Sequence, residues 1–144
     1  MRVSAVPVLA LGAVLAAAPS AADPDDPGPA TPGYAPPFVE NTQWVQWAAG
    51  QSSLRVYPTP AARAAARQLG TGSTAGLEAW SEVLAHAPEA DTPGMREQFI
   101  CHWEVAEVAE PGKISWNLEP WRPVVDPATM LGTGCNPGGP EEPF

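Results

Sequence analysis

Of the side chains in this sequence, His102 is the first to ask about chemistry. Histidine changes charge nearest neutral pH, and the chain has only one other, His86. A general base needs an imidazole open to a cleft and a third group to orient it. Glu119 and Asp126 are the carboxylates that the sequence offers for that task. On a helix, Cys101 and His102 point in different directions, so the sulfur can be tied down while the ring faces outward. That arrangement defines one function class, a small hydrolase with His102 as base. The opposing expectation is a buried, hydrogen-bonded structural histidine beside Trp103. No GxSxG motif is present, and Ser52, Ser53, Ser73, Ser81 and Ser115 lie in no context that would activate a hydroxyl. Metal-ligand spacings such as HExxH, CxxC or an alternating-Asp loop are missing too, so no metal and no cofactor are expected.

The second constellation is Trp116-Asn117-Leu118-Glu119-Pro120-Trp121-Arg122-Pro123. Arg122 can stack on an indole and pair with Glu119, two contacts that hold an irregular backbone without a hydrogen-bond ladder. Left exposed, Trp116, Glu119, Trp121 and Arg122 would form a platform for a sugar ring, a peptide or another protein. Buried, the same indoles would be core in a chain with only three Phe residues.

Positioning these groups falls to a small exported domain. Residues 1–22 carry one early charge at Arg2, an apolar run from Val3 to Ala18 and small residues before Asp23, the pattern of a cleaved secretory signal. The run is too short for a membrane span and contains Pro7. Cleavage leaves about 120 residues, enough for one domain with a modest core. After loss of Arg2, six basic residues face sixteen acidic ones. So acidic a surface repels nucleic acid and anionic lipid, leaving a cell-wall component or an extracellular protein as partner. In an oxidising compartment Cys101 and Cys135 are expected to form one disulfide, with two free thiols as the alternative.

Residues 23–37, rich in proline and acid, read as a disordered linker, and the compact domain as 38–135. Strand chemistry marks Gln43–Ala48 and Ser53–Tyr57, joined through a turn at Ala49–Ser52 as a hairpin. Thr59-Pro60 opens a helix carried to Leu69 and closed by Gly70. A second helix spans Thr74–Ala87, with Leu77, Trp80, Leu84 and Ala87 on its buried face and Glu78 and Glu82 in water. Thr92-Pro93 repeats the cap-then-proline signature before a third helix over Pro93–Val108, placing Met95, Gln98 or Phe99, His102 and Ala106 on one stripe. A strand is its rival, since Phe99, Cys101, Trp103 and Val105 alternate. Beyond a turn at Glu110–Lys113, Ile114, Trp116 and Leu118 alternate as a short strand to lie on the hairpin. Pro120, Pro123 and Pro127 then force an extended, proline-rich arm, and residues 136–144 are expected to fray. The fold class is α+β: an N-terminal hairpin, two or three helices and an arm fastened by sulfur.

The strings CHW at 101–103, SWNLEPWRP at 115–123 and CNPGGPEEPF at 135–144 resemble a family of small secreted proteins, mostly actinobacterial, catalogued as a domain of unknown function. The resemblance runs from about Trp44 to Phe144. It implies export and a shared compact domain, and it brings no catalytic residue with it. The function expected is therefore a non-enzymatic extracellular binding or interaction module, with the His102 hydrolase as the alternative.

Overall fold

A computed structural model describes residues 34–68 and 72–141. The secretory signal, most of the linker, the Leu69–Gly70 helix stop and Phe144 lie outside the described residues. Strand β1 (Val39–Gln46) turns back through a single 3-10 turn at Ala48–Gly50 into β2 (Ser52–Pro58), and β3 (Trp116–Leu118) adds on the far side of β2. The antiparallel order is β1-β2-β3. Pairing of Leu54 with both Trp44 and Leu118, and of Val56 with Trp116, puts these side chains on one face. Four helices occur among the described residues: α1 (Pro60–Ala66), α2 (Gly72–His86), α3 (Met95–Ala109) and α4 (Pro127–Gly132). The fold is thus a small α+β domain.

Few large aliphatics are available, so rings fill the interior. Trp103, Trp116 and Phe99 are fully buried, with centroids 6.0–6.3 Å apart. Phe38 meets the edge of Trp103 at 5.5 Å. Tyr34, ahead of Phe38, already packs against this core. Such edge-on and tilted contacts suit aromatic quadrupoles better than face-to-face stacking.

Helix α1 starts as its residues dictate: the Thr59 hydroxyl accepts the Ala62 N–H at 3.1 Å, and Pro60 occupies the first turn. It closes at Ala66, short of Leu69. In α2 the buried face is turned by one residue from the expected stripe. Gly76, Ala79, Trp80, Val83 and Ala87 are inside, while Leu77 is 50% exposed. Small residues explain the turn. A β-carbon at Gly76 would sit 3.2 Å from the Trp103 ring, so α2 approaches α3 on its small side and leaves Leu77 outside. Glu82 is not free in water either: its Oε2 accepts the backbone N–H groups of Phe38 and Val39, both at 2.7 Å.

Residues 95–109 are helical, and Met95, Gln98, Phe99, His102 and Ala106 are all buried. The Thr92-Pro93 cap is not used. Gly94, at φ 87°, is the N-cap and supplies no side-chain bond. Charge ties the end of α1 to α3, because buried Glu107 pairs with Arg63 and, at 2.7 Å, with Arg67. Ile114 is 74% exposed rather than packed. Sheet pairing begins only at Val56–Trp116, and the carbonyls of Lys113 and Ile114 are drawn to Arg63 instead.

The arm after β3 is irregular as its prolines require, with one exception. Asp126 caps α4, its Oδ1 accepting Thr129 N–H at 3.0 Å and its Oδ2 the Thr129 hydroxyl at 2.7 Å. Pro127 sits in the first turn, where a missing donor costs nothing. Cys101 and Cys135 are joined, their Cα atoms 5.6 Å apart and 34 residues apart in sequence. A tie closing a loop of that length stabilises by about 3 to 4 kcal/mol on the chain-entropy account. Replacing Cys135 by Ser is expected to lower the denaturant midpoint in proportion. Equilibrium unfolding of the variant beside the reduced wild type checks it, and coincident curves for oxidised protein and variant would refute the tie.

Candidate functional site

The residues singled out in the sequence assemble, but mostly indoors. Glu119 and Arg122 are buried and joined, Arg122 Nε donating to Glu119 Oε2 at 2.5 Å. The second carboxylate oxygen, Oε1, accepts the Ser53 hydroxyl at 2.9 Å. Gln98 completes the set from α3: its Oε1 accepts the Glu119 N–H and its Nε2 donates to the Glu119 carbonyl, both at 2.9 Å. The side-chain amide thus does for the edge of β3 what a neighbouring strand would do. Arg122 then spreads its guanidinium over the chain end, Nη1 donating to the carbonyls of Pro137 and Gly139 and Nη2 to that of Pro140. The fraying expected of 136–144 therefore does not extend to 136–141. Gly138 permits the close approach, because a β-carbon there would lie 2.6 Å from Pro123.

This corrects the idea of an exposed platform. Trp116 is core, Glu119 and Arg122 are interior, and Trp121 is half-buried against Trp47 at 5.5 Å and under the Arg122 guanidinium at 4.6 Å. A charge pair this deep must have its remaining lone pairs and donors satisfied, and here the arm itself supplies them. Replacing Arg122 by Met strands the Glu119 carboxylate. The expected cost is about 3 to 5 kcal/mol. A chemical denaturation curve measures it, and E119Q in the same background should recover part of the loss.

His102 is interior too. Only 3% of it is exposed, and its Nδ1–H donates to the Gln98 carbonyl at 2.8 Å. Burial pushes its pKa down from 6.5 to about 4, with nearby Lys113 and Arg122 acting in the same direction. Neither Glu119 nor Asp126 orients the ring. Glu119 is occupied by Ser53 and Arg122, and Asp126 caps α4, where the Thr129 hydroxyl and N–H hold its carboxyl below the usual range. His86 is exposed at the end of α2. Since the unfolded ring takes a proton near pH 6.5 and the folded ring resists until about 4, stability is full above 6.5 and is lost as pH falls toward 4. The loss should total roughly 3 kcal/mol. H102Q should flatten that limb of the stability profile, and an unchanged slope in the variant would assign it to other groups.

What remains open to solvent lies on the opposite side of α3. A groove of about 630 Å³ runs between α2, α3 and α4, floored by Ile100, Cys101 and Met130 and walled by Leu77 and Leu131. Leu131 is 59% exposed, as unguarded as Leu77. Carboxylates of Glu97 and Glu104 stand along it, and Arg96 is already bonded to Glu97 at 3.0 Å. A second depression, of about 560 Å³, shares Leu77, Arg96 and Glu97 and continues toward Trp80 and Pro93. The signals for this site were Leu77 and α4. Both are hidden in the sequence, one by a stripe that lies one residue off and the other by prolines. Among the described residues no three His, Cys, Asp or Glu side chains converge as metal ligands would, and no helix is long and apolar enough to cross a membrane.

Fold and site together define a small disulfide-fastened α+β domain with an apolar, acid-rimmed groove. The chain belongs to the family described as Protein of unknown function (DUF2599), whose model matches residues 39–138. It is 55% identical over 150 residues to the uncharacterized protein Mb0487 of Mycobacterium bovis, covering 100% of this chain and 97% of that one. The same figures hold for the uncharacterized protein Rv0477 of Mycobacterium tuberculosis. The uncharacterized protein ML2452 of Mycobacterium leprae is 46% identical over 110 residues, 76% of this chain and 87% of that one. No solved structure matches.

Proposed function

We propose that this chain is a secreted, non-enzymatic binding domain, and that the groove between α2, α3 and α4 is its binding surface. The observation that carries the reading is the pair of unguarded leucines, Leu77 and Leu131, lining one groove together with Ile100 and Met130. Exposed apolar side chains that line a concavity, rather than scattering singly, mark a place where another molecule displaces water. The export signal in residues 1–22 and the disulfide support an extracellular setting. A hydrolase centred on His102 has less support, because a base must meet its substrate and this ring is buried.

The occupant is an apolar segment of an extracellular protein flanked by Lys or Arg. Apolar side chains suit the floor, and basic flanks suit Glu97, Glu104 and a chain of net charge −9. A 14-residue amphipathic Leu/Lys helix, with its Leu/Glu counterpart as control, is a suitable probe. Fluorescence anisotropy should register binding of the Lys peptide and little of the Glu peptide. L131S, at an exposed site where folding is undisturbed, should weaken it at least tenfold, and E104K should narrow the preference between the two peptides. Equal binding of both peptides, or indifference to L131S, would remove the groove from the proposal.

A further inference from the structure

The two edges of the sheet are treated differently. At the β3 edge, the Glu119 N–H and carbonyl are both consumed by Gln98. At the start of β1, Glu82 consumes the Phe38 and Val39 N–H groups, and an irregularity between Val39 and Asn41 shifts the register. Between Asn41 and Gln46 none of these devices operates. Among the described residues, no backbone hydrogen bond reaches that stretch except from β2. Asn41, Gln43 and Gln46 are exposed. Natural edges are blunted with lysine, proline, a bulge or a covering element, because an open one is a template for another strand. Residues 41–54 contain no charge and no proline.

We infer that the β1 edge is a strand-addition surface and that its occupant is a second copy of this chain, paired antiparallel across Asn41–Val45. Charge selects this face for self-association. Two chains of net charge −9 repel over an acidic surface, whereas residues 41–45 carry no charge of their own, Glu40 lying just outside the paired stretch and Glu89 being held on the Trp44 indole N–H. Centred on Gln43, the two-fold sets Thr42 opposite the partner copy's Trp44 and Asn41 opposite its Val45. The first of these is an aromatic and β-branched pair of the kind that favours a ladder. Five residues a side bury less than a standard interface, so the association is weak and belongs to high protein concentration.

Gln43 sits on the two-fold, so one position tests the pairing. Among the described residues its side chain takes part in one bond, a 3.3 Å surface contact from the Tyr57 hydroxyl. Sedimentation equilibrium of the wild type should show a concentration-dependent dimer. Q43K and Q43E alone should each weaken it at least tenfold by setting like charges face to face, with circular dichroism and melting point unchanged. An equimolar mixture of the two variants should dimerise again, because Lys then faces Glu. A wild type that stays monomeric to millimolar concentration, a dimer indifferent to Q43K, or a mixture that does not re-associate would each overturn the inference.

Discussion

A carboxylate and a guanidinium cannot share a dry interior unless nearly every remaining lone pair and N–H also finds a partner. Glu119 and Arg122 impose that requirement on this fold. Ser53 answers it from β2, Gln98 fixes the backbone that carries the acid, and the carbonyls of Pro137, Gly139 and Pro140 take the rest of the arginine. One ion pair therefore determines where a strand, a helix and a proline-rich chain end sit relative to each other. An apolar pair in the same space could be as stable, but it would not specify direction. Guanidinium geometry does, through a planar fork of donors that an ammonium lacks.

The sequence carried much of this design because its strongest rules are local. Alternation of Trp and Val with polar residues marks the hairpin, and Thr59-Pro60 opens a helix through a bond three residues long. The spacing of Met95, Phe99, His102 and Ala106 is enough to prefer helix over strand for a segment where both periods can be found. Pairing of Cys101 with Cys135 needs only the compartment and the count. The family resemblance adds a name for the domain, and it agrees with the family model over most of its length.

The misses share one cause, which is that tertiary contacts overrode local signals. Hydrophobicity alone favours Leu77 for the inner face of α2, yet Trp103 needs the space above Gly76, and the helix is phased by its smallest residue. Glu82 belongs in water until two strand N–H groups lack acceptors. Thr92-Pro93 has the same letters as Thr59-Pro60, but Gly94 in a left-handed conformation starts the helix two residues later. Asp126-Pro127 is a third copy of the signature, and it does open a helix inside an arm whose prolines argued for none. The indoles of Trp116 and Trp121 have the chemistry of a binding platform and of a core alike. Only the count of available apolar volume decides between them, and this chain is short of it.

Burial of the tryptophan platform and exposure of the groove come from the same division of the interior. Two apolar clusters exist among the described residues. The large one is built from the sheet, α1, α2 and α3, and the small one from Cys101, Met130 and Cys135 with Val105 and Val125 beside them. The small cluster cannot hold α4 by apolar area alone, since it buries one methionine and a cystine. Sulfur at one end of the arm and Arg122 near the other supply the difference. A covalent tie restricts α4 without covering it, so Leu131 can remain in solvent while its helix stays in place. Held by packing instead, that helix would have had to bury its leucine to stay, and the groove would have closed. Fastening by sulfur is thus what lets so small a domain keep an apolar surface open.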